Sequence, residues 1–242
     1  MFTGQQARTA FELICYWIRI CHITHMKQYK NLTVCEIFKS ILGESSFAGL
    51  PFTIVRLTGC NLRCSYCDTR YAWTEGTCMT TKGVEETVRK FGLTNVLLTG
   101  GEPLLQAGSI ELLNLLISDG DVILVETNGS IDISGLPHGV IAIVDIKSPG
   151  SQQWRMMDLG NLERLKPKDE IKFVLTDRND YDWARQFCLE KLNGSHRNIL
   201  MSPASGKLSP KLLAHWILSD NLNVRLQLQL HKQIWPDEER GV

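Results

Sequence analysis

The chain of 242 residues has no excess of charge of either sign, since Lys plus Arg and Asp plus Glu both number 26. That balance excludes bulk attraction to nucleic acid or to an anionic membrane as an organising principle, so any basic site must be local. No run approaches the roughly 18 uncharged apolar residues of a membrane-spanning helix, so no bilayer span is expected. There is no Pro- or Ser-rich linker and no internal repeat. With 8 Pro, 19 Gly and 43% hydrophobic residues, the composition is that of a soluble globule rather than a disordered or collagenous chain. At about 150 residues per domain the length suits one large domain or two small ones, and one core suffices.

Cysteine is the residue in unusual supply. Eight occur, at Cys15, Cys21, Cys35, Cys60, Cys64, Cys67, Cys78 and Cys188, and three of them fall within eight residues. A secreted disulfide framework is usually short and cysteine-dense, whereas this chain is long enough to build a real core. The pattern favours metal in a reducing cytosol, and a cytoplasmic location is expected. Residues 1–25 make a poor signal peptide, because the apolar stretch Phe11–Ile23 is interrupted by Glu12 and Arg19 and lacks a small-residue cleavage site. An extra amphipathic helix and an upstream start or tag ahead of Met26 both fit. Residues 1–30 are therefore set aside as an N-terminal extension, mis-started or disordered, and the domain is placed at 31–242.

The elements alternate. Phe52–Leu57 reads as a strand that ends in Thr58-Gly59 and a cysteine-rich loop. Val84, Val88 and Phe91 recur at helical spacing, and Asn95–Leu98 is a second strand running into Thr99-Gly100-Gly101. Ile110–Ser118 is a leucine-rich helix closed by Gly120, followed by buried strands at Val122–Val125 and Val140–Val144, with no helical period in Thr127–Gly139. Ile171–Leu175 is a strand, Tyr181–Leu192 a helix and Asn198–Met201 a strand; Ser209-Pro210 caps a helix over Lys211–Leu218. This order predicts one α/β domain with a mostly parallel sheet, open or closed as a partial (β/α) barrel. The last segment, Leu222–Leu230, alternates apolar residues with Asn223, Arg225, Gln227 and Gln229 and predicts a strand with one polar face. An edge strand facing solvent and a strand facing a substrate cavity both remain open.

Cys60, Cys64 and Cys67 stand as C-x3-C-x2-C in the loop after a strand. Three thiolates on one turn of chain supply three corners of a 4Fe-4S cube and leave one iron free to bind a small molecule. Zinc with Cys78 or a histidine as fourth ligand is the alternative, but no second Cys-x2-Cys or His-x3-His pair is present to complete it. Cys15, Cys21, Cys35 and Cys188 read as unpaired buried cysteines. The cysteine loop, the glycine pair, Glu126-Thr127-Asn128, Lys147-Ser148 and Ser202 all follow predicted strands, so they gather at one rim, where parallel α/β folds build their sites.

With Thr99-Gly-Gly-Glu-Pro103 after the next strand, the triad resembles the radical S-adenosylmethionine (SAM) superfamily. Four further segments narrow the likeness: Glu36–Glu44, Arg56-Leu-Thr-Gly59, Cys67-Asp-Thr69 and Leu228-Gln-Leu-His-Lys232. Together they resemble the 7-carboxy-7-deazaguanine synthases, over roughly residues 31–242 and with that family's shortened barrel core. The resemblance implies reductive cleavage of SAM at the open iron to a 5′-deoxyadenosyl radical. That radical takes hydrogen from 6-carboxy-5,6,7,8-tetrahydropterin, whose ring contracts with loss of ammonia to the deazapurine precursor of queuosine-type nucleosides. Here the cofactor carries the hard chemistry and the protein orients it.

Carried over residue by residue, the resemblance implies Cys60, Cys64 and Cys67 on the cluster. Tyr66, Cys67, Asp68, Gly101, Asp145-Ile146-Lys147 and Ser202-Pro203-Ala204-Ser205 would meet SAM, the absent side chains of the glycine pair letting backbone approach its methionine end. Thr69 would give a hydroxyl to Mg2+, whose other ligands come from substrate and water. Ile41, Leu42, Gly43, Arg56 and Thr99 would hold the substrate, Arg56 as a planar fork for its carboxylate. Glu44 is a further candidate for the guanidine-like edge of the pterin. The family often has Gln where this chain has Leu42 and Gly where it has Ser45; Leu42 has no side-chain donor, so any contact there must be through its backbone. A homodimer and an external electron donor such as flavodoxin or ferredoxin are implied, with no nucleic-acid or membrane partner. A glycyl-radical activase would share the triad and glycine pair but not the Glu36–Glu44 and Cys67–Thr69 segments; a non-catalytic metal scaffold is the reading from another class.

Overall fold

A computed structural model describes residues 29–118, 120–192 and 198–242. Of the N-terminal extension expected over residues 1–30, residues 1–28 lie outside the described residues, while Lys30 is bonded to the domain through Glu111 and Thr81. The strands are β1 (Asn31–Ile41), β2 (Pro51–Leu57), β3 (Thr77–Thr80), β4 (Asn95–Gly100), β5 (Val122–Thr127), β6 (Val140–Asp145), β7 (Glu170–Leu175), β8 (Ile199–Pro203) and β9 (Arg225–Leu226). The helices are α1 (Thr81–Lys90), α2 (Ser109–Leu116), α3 (Asn161–Arg164), α4 (Arg178–Phe187), α5 (Pro210–Ser219) and α6 (Leu230–Ile234). One sheet runs β3-β1-β2-β4-β5-β6-β7-β8-β9. From β2 through β9 every neighbouring pair is parallel, whereas β1 is antiparallel to both β2 and β3. The sheet does not close on itself, in keeping with a partial barrel.

Each predicted strand up to β8 is present within a residue or two of its expected ends. The largest departures from expectation lie toward the two ends of the sheet. The segment Asn31–Ile41, read only as part of a motif, is the longest strand, and it adds an antiparallel hairpin to the βα alternation. The predicted strand Leu222–Leu230 is reduced to Arg225–Leu226, after which Leu230 begins α6. The alternation there ends because the Leu230 N–H donates to Gly43 O at 3.0 Å, drawing the chain off the sheet edge and over the end of β1.

Local signals explain the helix ends. Thr80 caps α1, its hydroxyl accepting from Gly83 N–H at 3.1 Å, and Asp177 caps α4, accepting from Asp180 N–H at 3.0 Å. Pro210 occupies the first turn of α5 as expected, although the Ser209 side chain makes no cap bond. The predicted helix over Tyr181–Leu192 is α4 followed by a π-helical turn at Cys188–Leu192. Between β5 and β6 the described chain has no helix, as the missing period foretold.

The two faces of the sheet are chemically distinct, because alternate residues of a strand point to opposite sides. Val55, Leu57, Val96, Leu98, Val125 and Val144 pack under the helices with Val84, Leu112 and Leu113 in the main core. On the inner face, Phe52, Ile54, Leu97, Leu124 and Ile143 form a second, smaller apolar cluster with Leu42. Each such buried side chain contributes about 1.5–3 kcal/mol. One step further along the same strands, at the same parity, the inner face turns polar: Arg56 follows Ile54, Thr99 follows Leu97, Glu126 follows Leu124 and Asp145 follows Ile143. The strand direction that builds an apolar floor thus raises a ring of polar groups at the carboxyl ends.

Candidate active site

A cavity of about 840 Å³ opens at those carboxyl ends. Its lining brings together Ile41, Leu42, Gly43, Arg56, Cys60, Cys64, Tyr66, Cys67, Asp68, Thr69, Thr99, Gly101, Asp145, Lys147, Ala204 and Ser205 of the sequence-derived candidates. Ile146, Ser202 and Pro203 are buried but do not line it. Ile146 has the opposite strand parity and joins the main core. The Ser202 hydroxyl donates to Gln227 O at 2.9 Å and ties the end of β8 to the C-terminal segment.

The cysteine loop leaves β2 and is stitched to the loop after β6. Ser65 N–H donates to Ser151 O at 3.1 Å, and the Ser65 hydroxyl to Gly150 O at 2.6 Å. Cys60, Cys64 and Cys67 are half-buried free thiols. Leu62 N–H and Asn128 Nδ2 approach Cys60 Sγ at 3.4 and 3.8 Å. Burial pushes the Cys64 thiol up to about 11, against the lowering charge of Lys147, so a bound metal must displace its proton. Among the described residues, no three His, Cys, Asp or Glu side chains converge closely enough to hold a single metal ion. Cys78, the alternative fourth ligand of a zinc site, is exposed on β3 and outside the cavity. Three thiols around one cavity suit a multi-atom core better than a bare ion.

The glycine pair has a steric purpose more immediate than approach to a ligand. Gly100 has φ +156°, and a Cβ there would lie 2.3 Å from Leu57 O; one on Gly101 would lie 2.2 Å from Gly59 O. Only glycine lets the β4 loop pack on the β2 loop and form Glu102 N–H to Gly59 O at 2.8 Å. The fully buried Glu102 carboxylate then accepts from Leu104 N–H, Thr127 Oγ1 and Asn128 N–H, the last at 2.6 Å, binding three loops together.

Two buried polar atoms on the cavity side have no partner among the described residues, Tyr66 OH and Asp145 Oδ1. Such groups cost free energy unless something else satisfies them. Lys147 is buried and donates to Asp145 Oδ2 at 2.7 Å. Burial would lower its ammonium, but the charge of Asp145 and the hydrogen bond to it outweigh that and keep it protonated. Asp68 accepts from Thr69 Oγ1 at 3.0 Å and from Lys232 Nζ at 2.5 Å. The Lys232 charge and these hydrogen bonds hold the carboxyl of this half-exposed side chain well below the usual carboxylate range. Half-buried thiols and orphaned polar atoms at one mouth fit a 4Fe-4S cluster and SAM. The Thr69 hydroxyl beside an ionised Asp68 fits a hard cation.

The lining also carries Arg56, at the end of β2, whose Nε donates to Glu36 Oε1 at 2.7 Å. Among the described residues no hydrogen bond engages its two terminal nitrogens, so the guanidinium is both an ion-pair member and a fork open to the cavity. Leu42 departs from expectation. Its N–H donates to Leu50 O at 2.8 Å and its carbonyl accepts from Gly49 N–H at 2.9 Å, while its side chain is buried in the inner apolar cluster. The turn uses its backbone groups, so Leu42 offers a ligand an apolar surface rather than the backbone contact expected.

Sequence reasoning missed Lys172 and Glu170. Lys172 donates to Glu44 Oε2 at 2.8 Å and to Glu126, and lies 3.7 Å from Asp145 Oδ2. Glu170 accepts from Ser46 N–H at 3.0 Å and from the Ser46 hydroxyl. A signal was present: two charged residues alternate within the otherwise apolar strand Glu170–Leu175, where a fully buried parallel strand should be apolar throughout. The polar residues of the expected last strand also find their place. Gln229 lines the cavity and donates to Glu44 Oε1 at 2.8 Å, while Gln227 is buried.

Comparison with known proteins agrees with this geometry. Residues 54–138 match the Radical SAM superfamily. The chain is 40% identical over 228 residues to the 7-carboxy-7-deazaguanine synthase of Koribacter versatilis, covering 87% of this chain and all of that protein. It is 44% identical over 214 residues to that of Chlorobaculum tepidum, covering 87% and 97%. Among solved structures, QueE from Escherichia coli superposes with a TM-score of 0.69 at 22% identity, over 82% of this chain and 94% of that one, a likeness of fold. Near-complete coverage at these identities, with the thiols and the ligand-facing polar groups around one cavity, shows that the chain belongs to the 7-carboxy-7-deazaguanine synthase family of radical SAM proteins.

Proposed function

We propose that the protein converts 6-carboxy-5,6,7,8-tetrahydropterin to 7-carboxy-7-deazaguanine by a radical SAM ring contraction with loss of ammonia. This is a carbon–nitrogen lyase step in queuosine-type deazapurine biosynthesis. The observation that carries the reading is a single cavity lined together by three thiols, an arginine fork and the carboxylates Glu44, Glu126 and Asp145. Cys60, Cys64 and Cys67 would hold the cluster. Tyr66, Asp68, Gly101, Asp145 and Lys147 would meet SAM, with the Ile146 and Ser202–Ser205 backbone framing them. When bound, the cluster and SAM supply the reducing power and the hydrogen-abstracting radical.

The rest falls to the chain. Arg56 binds the substrate carboxylate with the two nitrogens that Glu36 leaves free, as a planar fork does best. Thr69 contributes one neutral oxygen to Mg2+, and substrate and water complete its shell. Thr99 and the Ile41–Gly43 turn border the pterin, with Leu42 as an apolar contact. Leu62, Trp73 and the segment His231–Gln233 wall the cavity against water, which protects reactive species from side reactions. A flavodoxin- or ferredoxin-like electron donor, a homodimer and a cytoplasmic setting complete the proposal.

The test is anaerobic. Reconstituted, reduced protein is incubated with SAM, Mg2+ and the carboxytetrahydropterin, and the products are analysed for a deazapurine. Product formation is expected; its absence from protein with full iron content and a competent reductant would overturn the reading.

A further inference from the structure

We infer that Lys172 is a positioning residue that gathers Glu44 and Glu126 into one acceptor wall, and that this wall selects the donor-rich 2-amino edge of the substrate. The inference rests on the function proposed above and goes beyond it to a residue which that reading leaves idle.

Lys172 sits near the middle of β7, beside Asp145 of β6 in the sheet register, and its side chain is 5% exposed. Its ammonium donates to Glu44 Oε2 and Glu126 Oε1, groups from the turn after β1 and from β5. The other oxygen of each carboxylate is also engaged: Gln229 Nε2 donates to Glu44 Oε1 at 2.8 Å and Thr99 Oγ1 to Glu126 Oε2 at 3.1 Å. The result is a chain, Gln229–Glu44–Lys172–Glu126–Thr99, all of whose members line the cavity. The turn bearing Glu44 is clamped from the same strand, since Glu170, two residues earlier and on the same face, accepts from Ser46 N–H.

The charge count gives the wall its selectivity. Asp145, 3.7 Å from Lys172, is matched by the ammonium of Lys147, which leaves one ammonium for the two carboxylates Glu44 and Glu126; the wall keeps an excess negative charge, and each carboxylate oxygen retains a lone pair for a further donor. A ligand edge rich in N–H groups satisfies it; an edge bearing a carbonyl in place of an amino group leaves buried acceptors facing an acceptor. Sites built to bond a donor reject analogues lacking it much more strongly than apolar pockets reject a change of size. Without Lys172 the two carboxylates repel and part, so the wall loses its geometry as well as its balance.

The experiment compares wild type, Lys172→Met and Lys172→Ala as cluster-loaded proteins. It measures equilibrium binding of the carboxytetrahydropterin and of its 2-oxo analogue with SAM and without reductant, then turnover. Wild type should prefer the 2-amino compound by about a hundredfold or more. Lys172→Met should bind the pterin about a hundredfold more weakly, with that preference mostly lost, while iron content and SAM binding stay at wild-type levels; the fall in kcat/KM should lie mainly in KM. Propylammonium added to Lys172→Ala should restore about tenfold in affinity, a recovery that a purely structural role would not show. Glu44→Gln, a change on a turn, serves if Lys172→Met fails to take up iron, and should lose the preference in the same way. Unchanged affinity and preference in these variants, beside an active wild type, would overturn the inference alone. A wild type that neither binds nor converts the pterin would overturn the functional reading and this inference with it.

Discussion

Glu36 and Arg56 stand directly opposite each other across β1 and β2, and Arg56 Nε meets Glu36 Oε1 at 2.7 Å. Tyr71 OH donates to the same oxygen at 2.9 Å. The antiparallel pairing of β1 therefore fixes the guanidinium plane before any ligand arrives.

Arg56→Lys should keep a cation near Glu36 but lose the second function, since one ammonium cannot both hold the ion pair and present a fork. A charge-assisted hydrogen bond is worth about 1.5–3 kcal/mol, so KM for the pterin should rise roughly tenfold to a hundredfold with a smaller change in kcat. Steady-state kinetics check this; an unchanged KM would show that the fork does not bind substrate.

Gly101→Ala places a methyl 2.2 Å from Gly59 O, a backbone atom that cannot swing aside. The β2 and β4 loops must separate at a cost of about 1–3 kcal/mol. A lower midpoint in thermal denaturation and SAM affinity reduced at least about tenfold are expected.

Glu170→Ala removes a fully buried acceptor and leaves Ser46 N–H without its partner. The loss should be about 1–3 kcal/mol in denaturant unfolding. Because Ser45 sits at φ +80° in that turn, an unfavourable region for a non-glycine residue, the turn should relax once its clamp is gone. Weaker pterin binding should accompany the lost stability.

Cys64→Ala should abolish cluster binding and activity, whereas Cys188→Ala should leave both nearly intact, since Cys188 packs in the main core away from the cavity. Iron analysis and the visible spectrum after reconstitution distinguish them. A cluster that survives Cys64→Ala would refute the ligand assignment.

His231 lies against Gly43, where a Cβ would fall 2.0 Å from its Nδ1. Burial lowers its pKa, against the raising charge of Glu44. As pH falls, the unfolded chain, with His near 6.5, takes up the proton before the folded one does, so the residue withdraws stability below about pH 6.5 and has no such effect above it. His231→Gln should therefore lose less thermal stability than wild type between about pH 7.5 and 5.5. Equal losses would remove His231 from the account.

The order of residues along the chain already encodes the βα alternation, the spacing of three thiols on one loop and the clustering of the motif-bearing loops at the strand ends. All of these are set by neighbours within a few residues or by the shared direction of parallel strands. It also marked Arg56 and Lys147 by residue type. Only the tertiary structure decided that Asn31–Ile41 pairs antiparallel with β2 and that the C-terminal alternation breaks at Leu230 to cross over β1. It alone turned Leu42 into an apolar contact with its backbone already bonded. Lys172 and Glu170 belong to the same class, since their partners lie more than a hundred residues away, at Glu44 and Ser46. The alternation of Glu170 and Lys172 within an apolar strand puts them on one face, but strand register and long-range backbone pairing choose their partners, and the local sequence does not name those.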